Sequence, residues 1–232
     1  MLNIPNGLIL VTGPPAPEVH DPGRLLEYMN TVEGYAKHIV TIEDPIEFRM
    51  KSKNCVIDQR EVGTDVHDYA TGLRSALRQM AHVIFVGEMR DRATIEIALT
   101  AAETGNVVIS TWPRSPQPCT INRIIDVFPI QDQEEVRTRL ALTRAASSRR
   151  SCCASATGWG VAAREVLFVN SPVANQIREG KVHMINNVIS SSSSEDAADD
   201  SLLRLYREGM VDAATVLPRF NDPEKARQVV QG

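Results

Sequence analysis

Short apolar runs alternate along the chain with segments in which apolar residues recur at helical spacing. Four runs of four or five residues are rich in valine and isoleucine: residues 8–12, 38–42, 83–86 and 107–111. Helical spacing follows the last two runs, most clearly at Ile95, Leu99 and Ala102. Buried strands that alternate with helices are typical of βαβ units. The pattern therefore predicts an α/β fold with a mainly parallel sheet.

The rest of the chain predicts smaller elements and a change of character towards the end. The pattern favours a short strand at residues 55–58, a helix from about residue 67 and a strand at residues 161–169. A serine run at residues 190–194 precedes two helical segments, residues 202–216 and 223–230. We predict a core domain over residues 1–189, a linker at residues 190–200 and a small helical part at residues 201–232.

Composition and charge narrow the classes of function. The chain has 232 residues and a net charge of −4, without a long basic run, which argues against nucleic acid as the main partner. No stretch approaches the roughly 18 apolar residues of a membrane span, and the first residues lack the pattern of a secretory signal. The cysteines have no metal-ligand spacing: Cys55, Cys119, Cys152 and Cys153. We expect a protein of the reducing cytoplasm.

Chemistry-bearing residues follow three of the apolar runs directly. Glu88 ends the third run, Glu43, Asp44 and Glu47 follow the second, and Gly13 follows the first. Ligands of an open α/β sheet bind outside the carboxyl ends of its parallel strands. Two acidic strand ends and one glycine turn therefore indicate a nucleotide and a metal ion.

Each of these signals also has a simpler interpretation. Glu88 suits the first turn of a helix, where the dipole favours an acid, and the acids after the second run suit a solvated turn. The strand before Glu88 and the Met-Arg-Asp sequence after it favour a catalytic role. The position of Glu43, Asp44 and Glu47 beside the nucleotide strand favours a role in ordering magnesium or water.

Several longer motifs carry a resemblance to a known family. In chain order they are GLILVTGP at residues 7–14, TIEDPIEF at 41–48, QREVG at 59–63, LRSALR at 73–78, VGEMRD at 86–91, LTAAETG at 99–105 and RIIDVFP at 123–129. With these motifs the chain resembles the type II and type IV secretion ATPases, and among them the type IV pilus retraction (twitching motility) ATPases. The resemblance covers residues 6 to about 209.

The resemblance implies a fold, an activity and partners. The fold is a RecA-like P-loop NTPase core with a small helical C-terminal part, and the family places an N-terminal domain before that core. The activity is ATP hydrolysis with Mg²⁺ in a cytoplasmic homo-hexamer, peripheral at the inner membrane, that drives pilus retraction. The implied partners are the pilus platform proteins of the inner membrane and related pilus ATPases, with no nucleic acid.

The resemblance also assigns site residues. It makes Glu88 and Glu43 catalytic, with Glu88 orienting the attacking water. It assigns these residues to the cofactor: Thr12, Gly13, Pro14, Asp44, Glu47 and Arg90. It places Asp44 and Glu47 around the metal ion as well.

Two further family assignments have ordinary alternatives. Arg74, Arg78 and Arg90 are either ion-pair residues or candidates to stabilise the transition state across a ring interface. Residues 172–181 resemble a C-terminal family motif linked to retraction, and they equally suit an amphipathic helix with Val173 and Ile177 on its core face.

The segment after Gly13 departs from the family. A phosphate loop needs small residues, a lysine for the phosphates and a hydroxyl for magnesium. Residues 14–21 read PPAPEVHD, and the first lysine of the chain is Lys37. Each proline lacks a backbone N–H, and the acids repel a phosphate. We expect this loop not to hold ATP, so that hydrolysis is impaired.

A shifted reading frame accounts for this departure. Codons for residues 18–24, read one base later, can encode Lys-Ser-Thr-Thr-Leu-Ala-Ala, and those for residues 15–17 can encode Gly-Ser-Gly in the other frame. Residues 146–158 can be reread in the same way as a family-like sequence. The alternatives to an impaired motor are therefore a non-catalytic paralogue that assembles into the ring and the product of a frameshift-damaged gene.

Overall fold

One mixed sheet with helices on both faces forms the centre of the computed structural model, which describes residues 5–13, 21–113, 117–143, 145–154, 160–185, 198–220, 224 and 227. The strands are β1 (Gly7–Gly13), β2 (His38–Glu43), β3 (Val56–Glu61), β4 (Val83–Glu88), β5 (Val107–Pro113), β6 (Ala145–Ala154) and β7 (Gly160–Phe168). The helices are α1 (Asp21–Thr31), α2 (Tyr69–Leu77), α3 (Arg92–Glu103), α4 (Gln117–Asp126), α5 (Gln133–Leu142), α6 (Ser171–Arg178), α7 (Ala198–Arg207) and α8 (Ala213–Val216).

The strands lie in the order β3-β2-β4-β5-β1-β6-β7. The first six run parallel, and β7 pairs antiparallel with β6. This confirms the α/β fold with a mainly parallel sheet. The four apolar runs become β1, β2, β4 and β5, four of the five inner strands, because a strand covered on both faces needs apolar side chains on both.

The alternation of side chains along each strand divides the core into two layers. Ile9, Ile39 and Ile109 face α1, where Leu26 and Met29 complete one cluster. Residues one position along the same strands face the other layer, whose larger cluster includes side chains of α2, α3, α4 and α5. A third, smaller cluster joins α7 and α8 to Ala163 of β7.

Local signals set the helix ends. Side chains of Asp68, Asp91, Asn170 and Asp212 accept hydrogen bonds from backbone N–H groups at the starts of α2, α3, α6 and α8. Gly105, with a φ of 120°, follows α3 at the position where a glycine commonly ends a helix. Val173 and Ile177 of α6 are buried, as the amphipathic interpretation of residues 172–181 predicts.

One strand is longer than predicted, one strand was not predicted, and most of the predicted linker is outside the described residues. β3 starts at Val56 and continues to Glu61, beyond the predicted residues 55–58. β6 was not predicted as a strand. The predicted linker at residues 190–200 lies outside the described residues except for its last three, which belong to α7. Among the described helices, none is long and apolar enough to span a membrane.

Candidate functional site

The acids predicted from the strand ends meet at one edge of the sheet. Glu43 is the last residue of β2 and Glu88 the last of β4, and the register of these neighbouring strands sets Ile42 opposite Val86. β5 separates β4 from β1, whose last residue, Gly13, lies opposite Pro113. Because all these strands are parallel, Gly13 ends at the same edge as the two acids.

Gly87 lets the ends of β2 and β4 approach each other. A Cβ atom on this residue would lie 3.3 Å from the carbonyl oxygen of Ile42 and 3.2 Å from the hydroxyl oxygen of Tyr69. The pairing of β4 with β5 shifts register between Val86 and Glu88. At this shift the hydroxyl of Thr111 donates to the Gly87 carbonyl. The glycine therefore allows Glu88 and Glu43 to lie side by side.

The four residues from Glu88 to Asp91 have separate tasks. The carboxylate of Glu88 is 32% exposed and pairs with Arg90, with 2.8 Å between Oε2 and Nη2. Met89 is buried in the larger core cluster. Asp91 caps α3 by accepting from the N–H of Thr94 at 2.9 Å and from its hydroxyl at 2.6 Å. The capping role that was the simpler interpretation of Glu88 thus belongs to Asp91, and Glu88 remains at the carboxyl end of β4.

Glu43 is held by two donors. Its Oε1 accepts from the hydroxyl of Thr41 at 2.6 Å and from the side-chain amide of Gln59 at 3.2 Å. Asp44, the next residue, is exposed. The carboxylate of Glu43 is therefore fixed by β2 and β3, and that of Asp44 is open to solvent.

Glu47 lies on an extended segment that runs along β3. We call this segment, residues 46–54, the strap. The N–H of Ile46 donates to Glu61 Oε2 at 3.1 Å, and at the far end Asn30 of α1 accepts from the N–H of Lys53 at 2.9 Å. Glu47 is exposed near the first of these anchors. The structure thus places Glu47 on a different support from Glu43.

Tyr69 belongs to the site, although the sequence did not single it out. Its ring packs on the larger core cluster from the first position of α2. Burial, and after it the carboxylates of Glu88 and Asp44, raise the pKa of its phenol to about 12 against the lowering effect of Arg90. A neutral phenol beside several carboxylates is a hydrogen-bond donor over the whole physiological pH range.

We expect Tyr69 to make the folded protein lose stability at high pH. The folded chain holds the phenol proton up to about pH 12, while the unfolded chain releases it near 10.0, so deprotonation favours unfolding between these values. The free energy of unfolding, measured by urea titration at successive pH values, should fall less steeply there in Tyr69→Phe. Tyr28→Phe removes a tyrosine that is 59% exposed and serves as control. Equal slopes in both variants would contradict this assignment.

The predicted cofactor residues are only partly within the described chain. Thr12 is buried at the end of β1, and Gly13 ends that strand. Pro14 lies outside the described residues. Arg90, predicted to bind the cofactor, is the ion-pair partner of Glu88. The described residues therefore include the acidic side chains of the site and the end of β1, which precedes the loop that begins at Pro14.

The acidic side chains of the site suit a magnesium ion only as a minority of its ligands. Among the residues that the structure describes, no group of three or more histidine, cysteine or acidic side chains is arranged to hold a metal ion. Magnesium in nucleotide sites takes one or two carboxylates and fills its other positions with phosphates and water. Because residues 14–21 offer neither lysine nor a serine or threonine hydroxyl, this chain does not fit a magnesium–triphosphate complex.

Known sequences match most of the chain. It is 41% identical over 211 residues to a twitching motility protein of Neisseria gonorrhoeae, covering 89% of this chain and 56% of that protein. It is 38% identical over 226 residues to the type IV pilus retraction ATPase PilT of Pseudomonas aeruginosa, covering 97% and 64%. The chain thus spans about six tenths of the length of these relatives.

Solved structures agree on the fold. A crystal structure of the pilus retraction motor PilT with bound ADP matches with a TM-score of 0.84 and 37% identity, over 96% of this chain and 64% of that one. The ATPase DotB of Legionella pneumophila matches with a TM-score of 0.78 at 20% identity, over all of this chain and 62% of that one, and supports the fold alone.

A family-level comparison completes the assignment. The sequence model of the family described as type II/IV secretion system protein matches residues 1–127. This range contains the strand ends that carry Gly13, Glu43 and Glu88. On this match and the identities above, the chain belongs to the type II/IV secretion system protein family.

Proposed function

We propose that this chain is the ATPase core of a type IV pilus retraction motor, the motor of twitching motility, with impaired ATP hydrolysis. One observation carries the proposal: Glu43 and Glu88 end adjacent parallel strands at the edge where β1 also ends. That is where a nucleotide binds in an open α/β sheet. The relatives named for twitching and pilus retraction support the choice of motor.

The proposed roles follow from charge and position. With an intact phosphate loop, Glu88 would orient the attacking water, because phosphoryl transfer depends mainly on positioning and charge stabilisation, and Glu43 would support it. Thr12, Gly13 and Pro14 would contact the phosphates. Asp44 and Glu47 would hold the metal ion, and Arg90 holds Glu88. The sequence of residues 14–21 is the part that opposes nucleotide binding.

The proposal includes the oligomeric state of the protein and its location in the cell. A ring of six copies, at the cytoplasmic face of the inner membrane, would act on the pilus platform proteins together with related pilus ATPases. Nucleic acid is not a proposed partner, since the chain is net acidic. Size measurement of the purified chain, alone and mixed with Pseudomonas aeruginosa PilT, tests the ring.

A non-catalytic ring member is the second candidate. It is favoured because the site acids already have protein partners: Arg90 for Glu88, and Thr41 and Gln59 for Glu43. The acidic half of the site is therefore held without a nucleotide. Co-assembly with an active PilT without nucleotide binding by this chain would favour this candidate. Resequencing the DNA across codons 12–26 and 143–161 tests the frameshift alternative.

We expect the purified chain to release no more phosphate from ATP, with magnesium present, than its Glu88→Gln variant. Glutamine keeps the size of the side chain and removes the charge that orients water, so this variant sets the background. The measurement is a phosphate-release assay at saturating ATP. Turnover in the unchanged chain that disappears in Glu88→Gln would show an intact motor and contradict the impairment.

A further inference from the structure

Gln59 joins one acid of the site to the strap that carries another. Its side-chain amide nitrogen donates to Glu43 Oε1 at 3.2 Å and to the carbonyl oxygen of Phe48 at 2.9 Å. Its amide oxygen accepts from the N–H of Met50 at 2.7 Å. Both N–H groups and the oxygen of the amide are thus engaged, two of them with the strap.

We propose that Gln59 is a positioning residue that couples the orientation of Glu43 to closure of the strap, and so to the place of Glu47. The inference rests on the proposed function, in which Glu43 and Glu47 serve one site. If the strap moves away from β3, the amide of Gln59 loses two of its three hydrogen bonds and is no longer held in the orientation in which it donates to Glu43. If the carboxylate of Glu43 turns to another group, the amide of Gln59 loses its hydrogen bond to β2 and is no longer held between β2 and the strap.

The neighbours of Gln59 show that this task is specific to one face of β3. Arg60 points to α2, where its guanidinium donates to the hydroxyl of Ser75 at 3.2 Å and to Gln79. Glu61 also holds the strap, by accepting from the N–H of Ile46 at 3.1 Å, and it lies opposite Glu43 in the pairing of β3 with β2. Its carboxylate has no proton to donate to the carboxylate of Glu43, so of these three side chains Gln59 is the one that donates to Glu43 and also hydrogen-bonds the strap.

Cleavage by trypsin reports how often the strap opens. Arg49 and Lys51 are exposed strap residues, and cleavage after them requires the backbone to leave β3. Gln59→Glu keeps an acceptor for Met50, removes both donors and sets a carboxylate against Glu43. The strap loses its hydrogen bond to the amide, and the two carboxylates repel each other. We therefore expect cleavage after Arg49 and Lys51, followed by mass spectrometry, to become roughly tenfold faster.

Exchanging the carboxylate of Glu43 and the amide of Gln59 tests whether the two side chains act on the strap together. In the double variant Glu43→Gln/Gln59→Glu, the amide on β2 donates to the carboxylate on β3, and Thr41 still has an oxygen to donate to. We expect cleavage about threefold slower than in Gln59→Glu alone, because one hydrogen bond returns and the repulsion is gone. Arg60→Gln is the matched control, on the same strand but facing α2, and should cleave at the rate of the unchanged chain.

The outcomes separate this inference from the proposed function. Equal rates in the single and double variants, or no acceleration in Gln59→Glu, would overturn the coupling. If Gln59→Glu does not fold, Gln59→Met takes its place. If Gln59 couples Glu43 to the strap, adding Glu43→Gln to Gln59→Met changes the rate of trypsin cleavage little. If the two residues act independently, the added substitution accelerates cleavage further. No nucleotide is used, so ATPase results that refute the motor leave this test unaffected.

Discussion

Replacing the ten residues 15–24 by the eleven-residue sequence Thr-Gly-Ser-Gly-Lys-Ser-Thr-Thr-Leu-Ala-Ala is expected to raise the affinity of the chain for ADP about a thousandfold. The added threonine gives Gly13 and the new Gly-Lys pair the four-residue spacing of a phosphate loop. The replacement supplies glycines that let backbone N–H groups face the phosphates, a lysine and a hydroxyl. Hydrogen bonds to charged groups contribute about 1.5–3 kcal/mol each, and two of them already account for a factor near a thousand. Calorimetric titration with ADP and magnesium measures the change.

The same replacement with alanine in place of the lysine is the matched control, and it should lose most of the gain. Circular dichroism of all three proteins checks that α1 and the sheet are retained. Tight ADP binding by the unchanged chain would show that residues 14–21 hold phosphates in spite of their prolines and acids. The impairment would then have to be abandoned.

Gly87→Ala is expected to lower the free energy of unfolding by about 2 kcal/mol, because overpacking of a filled site costs about 1–3 kcal/mol. The new Cβ would meet the Ile42 carbonyl oxygen at 3.3 Å and the Tyr69 hydroxyl at 3.2 Å. The first of these atoms belongs to the backbone of β2 and cannot rotate away, so the ends of β2 and β4 must separate at the site. Urea unfolding measures the loss.

Gly72→Ala is the comparison that isolates this backbone effect. Its Cβ would lie 3.1–3.3 Å from side-chain atoms of Ile42 alone, and alanine gains about 1 kcal/mol over glycine within a helix such as α2. We expect a clearly smaller loss than for Gly87→Ala. An equal loss at both positions would mean that crowding of the Ile42 side chain, rather than the approach of the strand ends, limits the site.

Four of the inner strands could be predicted from sequence, because a strand that is buried on both faces needs apolar residues at nearly every position. β1, β2, β4 and β5 are continuous apolar runs for this reason. β6 could not be predicted in this way. Its sequence, AASSRRSCCA, has no apolar run, yet it forms a strand between β1 and β7. This strand falls in the second segment for which a shifted reading frame gives a family-like sequence.

The acids of the site were predictable, and the groups that hold them were not. Glu43 and Glu88 follow apolar runs directly, so strand ends alone locate them. Gln59 and Tyr69 reach the site only through the pairing of β3 with β2 and the packing of α2. The QREVG motif did mark Gln59 as part of a family pattern, but neither its spacing nor its composition indicates which groups its amide contacts.

The strap also determines how sheets of neighbouring molecules can meet. β3 is an edge strand, and edges with free backbone groups recruit strands from other chains. Here the outward N–H of Ile57 donates to the hydroxyl of Ser52, and that of Glu61 to the carboxylate of Asp65. Because two of the outward donors of β3 are taken by side chains, adding a strand from a second molecule at this edge costs these hydrogen bonds. We therefore expect copies of this protein to assemble through other surfaces.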